Sequence, residues 1–169
     1  MTIPAPHTES LVDGQQFRDA MTLIAAPITI ITTLDQDGRR WGFTASSVTS
    51  GSMDPPLVLV GVARTSSCHQ ALLSSREFVI NVLGDRHRDL AQKFATHGVD
   101  RFADGDFDEW PGSALPCLPD ANASFRCITW DAVPIGDHDL LVGALAEVRM
   151  GRPRDALLWY QRGFHTPIR

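Results

Sequence analysis

The C-terminal part of the chain reads as three successive strands joined by short connections, and this pattern constrains the fold more than any other feature. The strands cover Ser124 to Val133, Asp139 to Met150 and Leu157 to Phe164, and the turn Pro134-Ile-Gly-Asp137 joins the first two. Strands joined by short turns pair antiparallel, whereas parallel strands need long crossover connections. The pattern therefore favours a β-barrel over a doubly wound parallel sheet.

Four earlier segments are also predicted strands: Ile28 to Thr33, Arg39 to Ser47, Leu57 to Ala63, and Glu77 to Leu83. The first is β-branched throughout, and the turn Asp35-Gln-Asp-Gly38 leads into the second. The third is an apolar run after Pro55-Pro56, which is typical of a buried strand. No GxGxxG motif follows the first strand, so a Rossmann nucleotide site is not expected.

Helical periodicity is confined to short segments. Asp13 is a predicted N-cap for a helix in which Phe17, Met21 and Ile24 form one apolar stripe, and Pro27 enforces its end. We expect this stripe to be buried in the core.

Two more helices are predicted near residues 67–74 and after Asp85, the second with Leu90 and Phe94 on its apolar face. Ser66 or Ser67 is the expected N-cap of the first of these helices.

Residues 98–119 are predicted to form a long loop. The segment is rich in Pro and Gly, and its Phe107 and Trp110 are expected to be exposed. Long loops of this kind are often functional or mobile, and a lid over a pocket and a passive connector both remain open.

Length and composition indicate one domain. The 169 residues, 43% of them apolar, suffice for one sizeable core, which we place in residues 13–169 after a flexible N-terminal segment, 1–12.

The net charge of −5, with no Lys/Arg run, argues against a nucleic-acid partner. No apolar segment predicts a leader or membrane span, and we expect a cytoplasmic protein.

The three cysteines, Cys68, Cys117 and Cys127, have no metal-ligand spacing and form no CxxC pair. We expect no metal site. An odd number of cysteines favours reduced thiols in a cytoplasmic setting.

The stretch from Gly42 to Cys68 carries the strongest functional signal. Hydroxyls crowd its first part, at Thr44, Ser46, Ser47, Thr49, Ser50 and Ser52. Ala45 and Gly51 keep the backbone accessible there, and Arg64-Thr-Ser-Ser67 stands at the exit of the buried strand. Hydroxyls, free amides and an arginine at a helix start suit a phosphate-bearing ligand. An ordinary serine-rich sheet edge with a solvated arginine is the alternative.

Seven motifs in register resemble those of the short-chain flavin reductases: Gly42-Phe-Thr-Ala-Ser-Ser, Ser52-Met-Asp-Pro-Pro-Leu-Val-Leu-Val, Arg64-Thr-Ser-Ser, Phe78-Val-Ile-Asn-Val-Leu83, Leu90-Ala-Gln-Lys-Phe-Ala, Asp100-Arg-Phe and Gly136-Asp-His-Asp. The resemblance spans residues 15–165. It implies a homodimeric split β-barrel that binds FMN or FAD, uses NADH or NADPH as hydride donor, and releases reduced flavin to a separate monooxygenase.

The resemblance also assigns roles to residues. It implies that the isoalloxazine and ribityl chain lie along Thr44, Ala45, Ser46 and Ser47, and the phosphate or pyrophosphate along Arg64, Thr65, Ser66, Ser67, Cys68 and His69. It adds Asn81, Arg101 and Phe102 to the flavin pocket and turns His138 toward the nicotinamide. Where the family commonly has threonine, this chain has Cys68, whose thiol is a weak donor.

Hydride transfer needs little from side chains, because the two cofactors carry the reactivity. We therefore assign no obligatory general base. His138 is the catalytic candidate, for nicotinamide orientation and proton supply, and a structural or solvated histidine is the alternative. Tyr160 and Trp159 in the last strand either stack on a ring or pack the barrel.

Two other function classes remain open: a flavin or haem carrier or sensor on the same barrel, and a pyridoxine-phosphate oxidase-like enzyme with tightly bound flavin. The sequence does not choose between FAD and FMN. The absence of a basic cluster for a 2′-phosphate favours NADH over NADPH.

Overall fold

A computed structural model describes residues 11–152 and 154–167. Within them the helices are α1 (Gly14–Met21), α2 (His69–Ser74) and α3 (Arg88–Ala95), and a 3-10 turn spans Asp85–His87. The strands are β1 (Ala26–Pro27), β2 (Thr29–Leu34), β3 (Arg40–Ala45), β4 (Val48–Met53), β5 (Pro56–Ala63), β6 (Glu77–Val82), β7 (Asp108–Glu109), β8 (Pro116–Cys117), β9 (Ala123–Ile135), β10 (His138–Met150), β11 (Leu158–Tyr160) and β12 (Gly163–His165). Most of the segment predicted to be flexible, residues 1–12, lies outside the described residues.

A seven-stranded sheet in the order β3-β2-β6-β9-β10-β5-β4 dominates the fold. Every neighbouring pair in it is antiparallel, so the prediction of a mainly β protein with a few helices is confirmed. A three-stranded sheet, β1-β11-β12, and the pair β7-β8 complete the described strands.

The two edge strands of the large sheet, β3 and β4, are joined by Ser46 and Ser47 alone. Three Cα steps separate Ala45 from Val48, so these edges approach within at most about 11 Å at this point. The sheet must therefore curl strongly, although no hydrogen-bonded ladder joins β3 to β4 among the described residues. The result is a curled, open sheet rather than a closed barrel. We call the gap between these two edges the seam.

Strands β9 and β10 form a long central hairpin whose packing depends on one glycine. Gly143 lies where a Cβ atom would stand 2.5 Å from Cζ of Phe78 and 3.0 Å from Cβ of Cys127. No real Cβ approaches a ring so closely, so glycine is required for Phe78 to reach the interior. Phe78 is fully buried there.

The core consists of two main apolar clusters. One lies inside the curled sheet and includes Ile31, Val60, Phe78 and Leu141. The other lies beneath α3 and the second sheet and includes Ile30, Leu83, Phe94 and Leu157. Burying a side chain of this size contributes about 1.5–3 kcal/mol. These clusters fix the strands that carry residues 42–47 and 60–64.

Helix α1 has the predicted cap but not the predicted burial. The carboxylate of Asp13 accepts from the amides of Gln15 and Gln16, both at 2.8 Å. Its apolar residues Phe17 and Met21 are 56% and 46% exposed, so the prediction of a buried stripe was wrong. The helix also ends at Met21, before the predicted end at Pro27, and Ile24 lies beyond it and is 57% exposed. Helical periodicity identifies the apolar face of a helix but not what covers it.

The predicted caps of the other two helices were wrong. Helix α2 begins at His69 with Cys68 as N-cap and no side-chain cap bond. The hydroxyl of Ser66 instead accepts from the amide of Cys68 at 3.3 Å, within a turn. Asp85 opens the 3-10 turn, and α3 begins three residues later.

The segment 98–119 is better packed than a mobile lid, and the predicted exposure of Phe107 and Trp110 was wrong. Phe107 packs against the rings of Phe94 and Phe102, with centroids 5.2 and 5.3 Å away. Trp110 is 1% exposed, and its Nε1 donates to Oε2 of Glu147 at 3.0 Å. Pairing of β7 with β8 and aromatic packing hold the segment, despite its turn-rich composition.

The predicted strand Arg39 to Ser47 ends at Ala45, and a separate strand, β4, follows the two linking serines. The hydroxyl-bearing residues Thr49, Ser50 and Ser52 therefore pair with β5. Alternating small polar side chains are compatible with an edge strand, one face of which meets solvent.

All three cysteines are free and buried. Burial raises the pKa of the Cys127 thiol to about 12, which makes it unreactive at neutral pH.

None of the helices in the described part of the chain has the length and apolar character needed to span a bilayer.

Candidate functional site

The two segments identified from the sequence, 44–47 and 64–69, lie beside each other. The hydroxyl of Ser47 donates to the carbonyl of Gly61 at 3.0 Å, three residues before the exit arginine. On the other side, Sγ of Cys68 donates to the carbonyl of Gly42 at 3.1 Å. The first bond joins the link between β3 and β4 to β5, and the second joins β3 to the loop after β5.

The side chains of residues 44–47 differ in availability. Thr44 Oγ1 donates to the carbonyl of Ala91 at 2.6 Å, so it ties β3 to α3. Ala45 is buried in the core. Ser46 and Ser47 are exposed. Ser46, together with the backbone here, is therefore available to a ligand at the seam.

A surface cleft of about 690 Å³ opens beside the loop after β5. We call it the arginine cleft, and its walls are Arg39, Arg40, Trp41, Gly42, Ser67, Gly98, Val99, Asp100, Arg101 and Phe102. Three arginines face one aspartate in it, on a chain whose net charge is −5. Three predicted flavin residues, Ser67, Arg101 and Phe102, therefore meet in a locally cationic cleft of a size common for small-molecule sites.

Arg101 lines the cleft, and one donor of its guanidinium group is unpaired. Its Nη1 donates to the carbonyl of Gly42 at 2.9 Å and to Oγ of Ser67 at 3.4 Å, and Nη2 donates to the carbonyl of Thr96 at 2.9 Å. Its Nε is buried and has no hydrogen-bond partner in the described structure. Buried polar atoms are usually paired. The guanidinium has no carboxylate partner among the described residues either, so these residues fit an anionic group such as a phosphate.

Arg64, the arginine singled out from the sequence, is already paired. Its Nε and Nη2 donate to the two carboxylate oxygens of Asp139 at 3.2 and 3.4 Å, and Nε2 of His69 lies 2.7 Å from Oδ2. Hydrogen bonds from Arg64 and then His69 lower the pKa of the Asp139 carboxyl. Part of the Arg64 charge is therefore neutralised, although 46% of its side chain stays exposed.

Asp139 was missed by the sequence reasoning. Asp139 is 5% exposed, and it orients Arg64 and His69, two of the residues predicted to contact the phosphate. Its signal was its place directly after His138 in β10, where alternation along a strand turns the two side chains to opposite faces.

His138 lies at the start of β10, opposite Ala63 of β5. Its side chain is 45% exposed, and Nδ1 lies 2.7 Å from Oδ1 of Asp137. The hydrogen bond with His138 lowers the pKa of the Asp137 carboxyl. The backbone bond from Arg64 N to Asp137 O, at 3.1 Å, fixes this turn beside the exit of β5. His138 is therefore an exposed ring held near the loop that carries residues 64–69.

Asn81 is not brought to the surface with the other candidates. It is fully buried, and its Nδ2 donates to the carbonyl of Ile30 at 3.0 Å and to Oγ1 of Thr32 at 3.3 Å. Its Oδ1 accepts from the amide of Leu118 at 2.8 Å and from Oγ of Ser124 at 3.2 Å. The side chain is saturated by bonds that join β2, β6, β9 and the segment before β9.

The aromatic residues of β11 lie in the smaller sheet. Tyr160 is half-buried, and its ring centroid is 5.9 Å from that of His165. Trp159 packs edge-on against Phe164 and shares a groove beneath α1 with Ser46. Of the two, Trp159 is therefore the one that reaches the seam.

The remaining candidates belong to the loop itself. Thr65 is exposed, Ser66 is engaged in its turn, and Cys68 is buried. The thiol of Cys68 bonds the carbonyl of Gly42 and serves the packing of the loop. No group of three metal-ligating side chains occurs within residues 11–152 and 154–167.

Comparison with known proteins shows the family of the chain. Residues 21–167 match the flavin reductase like domain, so the chain is an oxidoreductase by class. One relative, the NADH:riboflavin 5′-phosphate oxidoreductase of Streptomyces pristinaespiralis, is 54% identical over 157 residues, which are 92% of this chain and 89% of that protein. The chain therefore belongs to the flavin reductase like domain family.

Solved structures of similar fold share lower identity. The NADH:FAD oxidoreductase of Streptomyces globisporus, solved with NAD and FAD fragments, has a TM-score of 0.84 at 29% identity, covering 93% of this chain and 96% of that one. The flavin reductase component of a bacterial two-component tryptophan halogenase has a TM-score of 0.84 at 29% identity, covering 93% and 100%.

Proposed function

We propose that this protein is an NADH-dependent flavin reductase that reduces FMN or FAD and releases the reduced flavin to a separate monooxygenase. The observation that carries the proposal is the cationic cleft next to the hydroxyl-rich segment, which is lined by Arg101, an arginine whose buried Nε is unpaired in the described structure. The names of the relatives support NADH as donor and a phosphorylated flavin as acceptor. The halogenase reductase supports release to a second component.

In this proposal the residues of the chain bind and orient. Arg101 and Ser67 hold the flavin phosphate, and the backbone and hydroxyls at Ser46 and Ser47 contact the flavin at the seam. Asp139 keeps Arg64 and His69 in place beside them. When bound, the flavin accepts a hydride from the nicotinamide, which is chemistry that the cofactors themselves supply.

The test is whether flavin behaves as a dissociable substrate. Purified protein should be nearly colourless, and added FMN or FAD should lose its visible absorbance once NADH is supplied in the absence of oxygen. A tightly bound yellow chromophore without NADH consumption would instead indicate a carrier or sensor. A yellow protein that oxidises an added small substrate would indicate a pyridoxine-phosphate oxidase-like enzyme. Running the assay with NADPH separates the two donors.

His138→Ala is expected to raise the KM for NADH about two- to tenfold, the effect of losing one hydrogen bond of about 0.5–1.5 kcal/mol. The exposed ring beside the loop after β5 would contact the nicotinamide, so the KM for flavin should change less. Steady-state kinetics at saturating flavin measure this. His165→Ala, an exposed histidine in the smaller sheet, is the control. Unchanged kinetics in the His138 variant would remove it from the site.

We further propose that the protein is a homodimer. The apolar stripe of α1 is exposed in a single chain and flanks the groove that Ser46 and Trp159 share. Exposed apolar surface of this kind marks interaction sites, and a second copy is the simplest partner.

Phe17→Asp is expected to convert a dimer into a monomer, because it would place a carboxylate in an apolar interface. Light scattering after size-exclusion chromatography measures the mass. Leu11→Asp, at a more exposed apolar residue outside α1, is the control. A wild-type mass of one chain at micromolar concentration would contradict the dimer.

A further inference from the structure

His87 is a buried histidine that the proposed function does not use. It is 6% exposed and closes the 3-10 turn Asp85–His87, directly before α3. Its Nδ1 accepts a hydrogen bond from the amide of Gly84 at 3.1 Å, and its Nε2 lies 3.1 Å from Oδ1 of Asp120. A ring nitrogen that accepts from an amide carries no proton, so the ring is the neutral tautomer with its hydrogen on Nε2.

The bond from Gly84 makes His87 part of a helix cap. The third position of a capping box normally holds Glu or Gln, whose side chain reaches back to the amide of the N-cap residue. His87 takes that position here, with Gly84 as the N-cap residue. A glutamine would keep the bond at every pH, whereas an imidazole loses its acceptor as soon as Nδ1 binds a proton.

His87 also lines a groove of about 370 Å³ in which carboxylates outnumber cations. The other charged groups of the groove are Arg86, Asp89, Lys93, Asp104, Asp106 and Asp120, while Asp85 lies on the turn itself and the carbonyl of Asp155 accepts from the amide of Asp85. Salt bridges to Asp120 and Asp104 neutralise both cations. The groove therefore has negative charge to spare and would accept an imidazolium ion.

Burial lowers the pKa of His87 below its ordinary value of 6.5, and the hydrogen bond with Asp120 opposes this only in part. Burial acts against ionisation of the Asp120 carboxyl, but hydrogen bonds from Arg86 and His87 lower its pKa overall. Asp120 thus remains a carboxylate where His87 titrates. The ring resists protonation in its present position, whereas the groove beside it favours the charged form.

We infer that His87 is an acid-sensitive switch at the start of α3. In its neutral form the ring holds the amide of Gly84 and fixes the turn. In its protonated form the ring leaves Gly84, moves toward the carboxylates of the groove and releases the start of the helix.

Helix α3 connects this switch to the candidate site. The carbonyl of Ala91 accepts from Oγ1 of Thr44 at 2.6 Å, and the ring of Phe94 lies 5.2 Å from that of Phe102, a wall of the arginine cleft. A Cβ atom on Gly42 would stand 2.9 Å from Cε1 of Phe94, so the helix and β3 are in tight contact. Movement of α3 would therefore disturb both β3 and the cleft.

The first test follows the histidine rings of the wild type by two-bond proton–nitrogen NMR from about pH 8 to about pH 5. The His87 ring, identified by its absence in His87→Gln, should carry its hydrogen on Nε2 at the higher pH and gain the second proton below pH 6.5. The amides of Gly84 and of residues 88–95 should shift with the same midpoint. A hydrogen on Nδ1 at about pH 8, or a ring that titrates with no change in α3, would overturn the inference.

The second test is urea unfolding as a function of pH. The folded chain binds fewer protons at His87 than the unfolded chain does, so the stability that the neutral ring supplies is fully present above about pH 6.5 and is lost as the pH falls below it. Between about pH 7.5 and about pH 5.5 the wild type should lose more stability than His87→Gln. His97→Gln, which removes an exposed histidine just beyond α3, is the control and should behave as the wild type. Equal pH dependence in His87→Gln and the wild type would contradict the switch.

Riboflavin binding then tests whether the switch reaches the candidate site, and only this effect rests on the proposed function. Riboflavin is preferred to FMN because a phosphate monoester itself titrates near about pH 6. Its dissociation constant should rise about two- to tenfold in the wild type over the same pH range, as for the loss of one hydrogen bond, and stay constant in His87→Gln. A constant value in the wild type would overturn the connection through α3. Wild-type protein that binds riboflavin at no pH would instead contradict the proposed function, and the NMR and unfolding results would still decide on the switch.

Discussion

Replacing Arg101 with alanine is expected to raise the dissociation constant of FMN about 10- to 100-fold, since hydrogen bonds to a charged group contribute roughly 1.5–3 kcal/mol. The variant removes a guanidinium whose buried Nε has no partner in the described structure. Riboflavin lacks the phosphate, so its affinity should fall much less. The ratio of the two constants, measured by quenching of flavin fluorescence, reports on the phosphate contact alone.

Two further variants make this result interpretable. Arg88→Ala removes an exposed arginine that also donates to a carbonyl, that of Phe164 at 3.1 Å, but lies outside the arginine cleft. It should leave both constants unchanged. Arg64→Ala should have a smaller effect than Arg101→Ala, because Arg64 already pairs with Asp139. If FMN and riboflavin weaken equally in Arg101→Ala, the arginine supports the loop rather than the phosphate.

Replacing Asn81 with alanine is expected to lower the free energy of unfolding by about 3 kcal/mol or more, because each buried group left unpaired costs roughly 1–3 kcal/mol. The variant would leave the amide of Leu118 and the carbonyl of Ile30 without their side-chain partner. Urea unfolding followed by circular dichroism measures the loss.

Asn122 provides the matched control for this variant. Its side chain makes one hydrogen bond, Nδ2 to the carbonyl of Arg154 at 3.2 Å, and its Oδ1 has no partner in the described structure. Asn122→Ala should therefore cost less than about 1 kcal/mol. The folded Asn81 variant should bind FMN with unchanged affinity at low temperature. A stable Asn81 variant that no longer binds FMN would restore the flavin role implied by the family resemblance.

The strands were predictable because their signals are local. β-Branched runs, alternation and turn residues identified the β6, β9 and β10 segments to within a few residues. The burial of Phe107 and Trp110 was not predictable, because it depends on partners distant in sequence, such as Glu147. Similarly, the apolar stripe of α1 was visible in the sequence, whereas its exposure in a single chain was not.

In the candidate site, too, the residues with local sequence signals were predictable, whereas the contacts between distant residues were not. Ser67, Arg101 and Phe102 were found through family motifs, and the fold brings them into one cleft. Asn81 was also found through a family motif, yet its hydrogen bonds are all made to buried groups of the sheet and of the segment before β9. The pairing of Arg64 with Asp139 could not be read from positions 75 residues apart. Arg64 was singled out by its place at the exit of a strand and Arg101 by a family motif, and only their hydrogen-bond partners distinguish the paired guanidinium from the one with an unpaired donor.

The position of the seam affects how a ligand at Ser46 and Ser47 would act on the sheet. Because Ser46 and Ser47 bridge the first and last strands of the curled sheet, a guest bound there touches both of its free margins at once. Such a ligand would hold the two edge strands together, so that the stiffness of the sheet would depend on whether the ligand is bound. Under the proposed function, release of the reduced flavin would free these two edges from each other again.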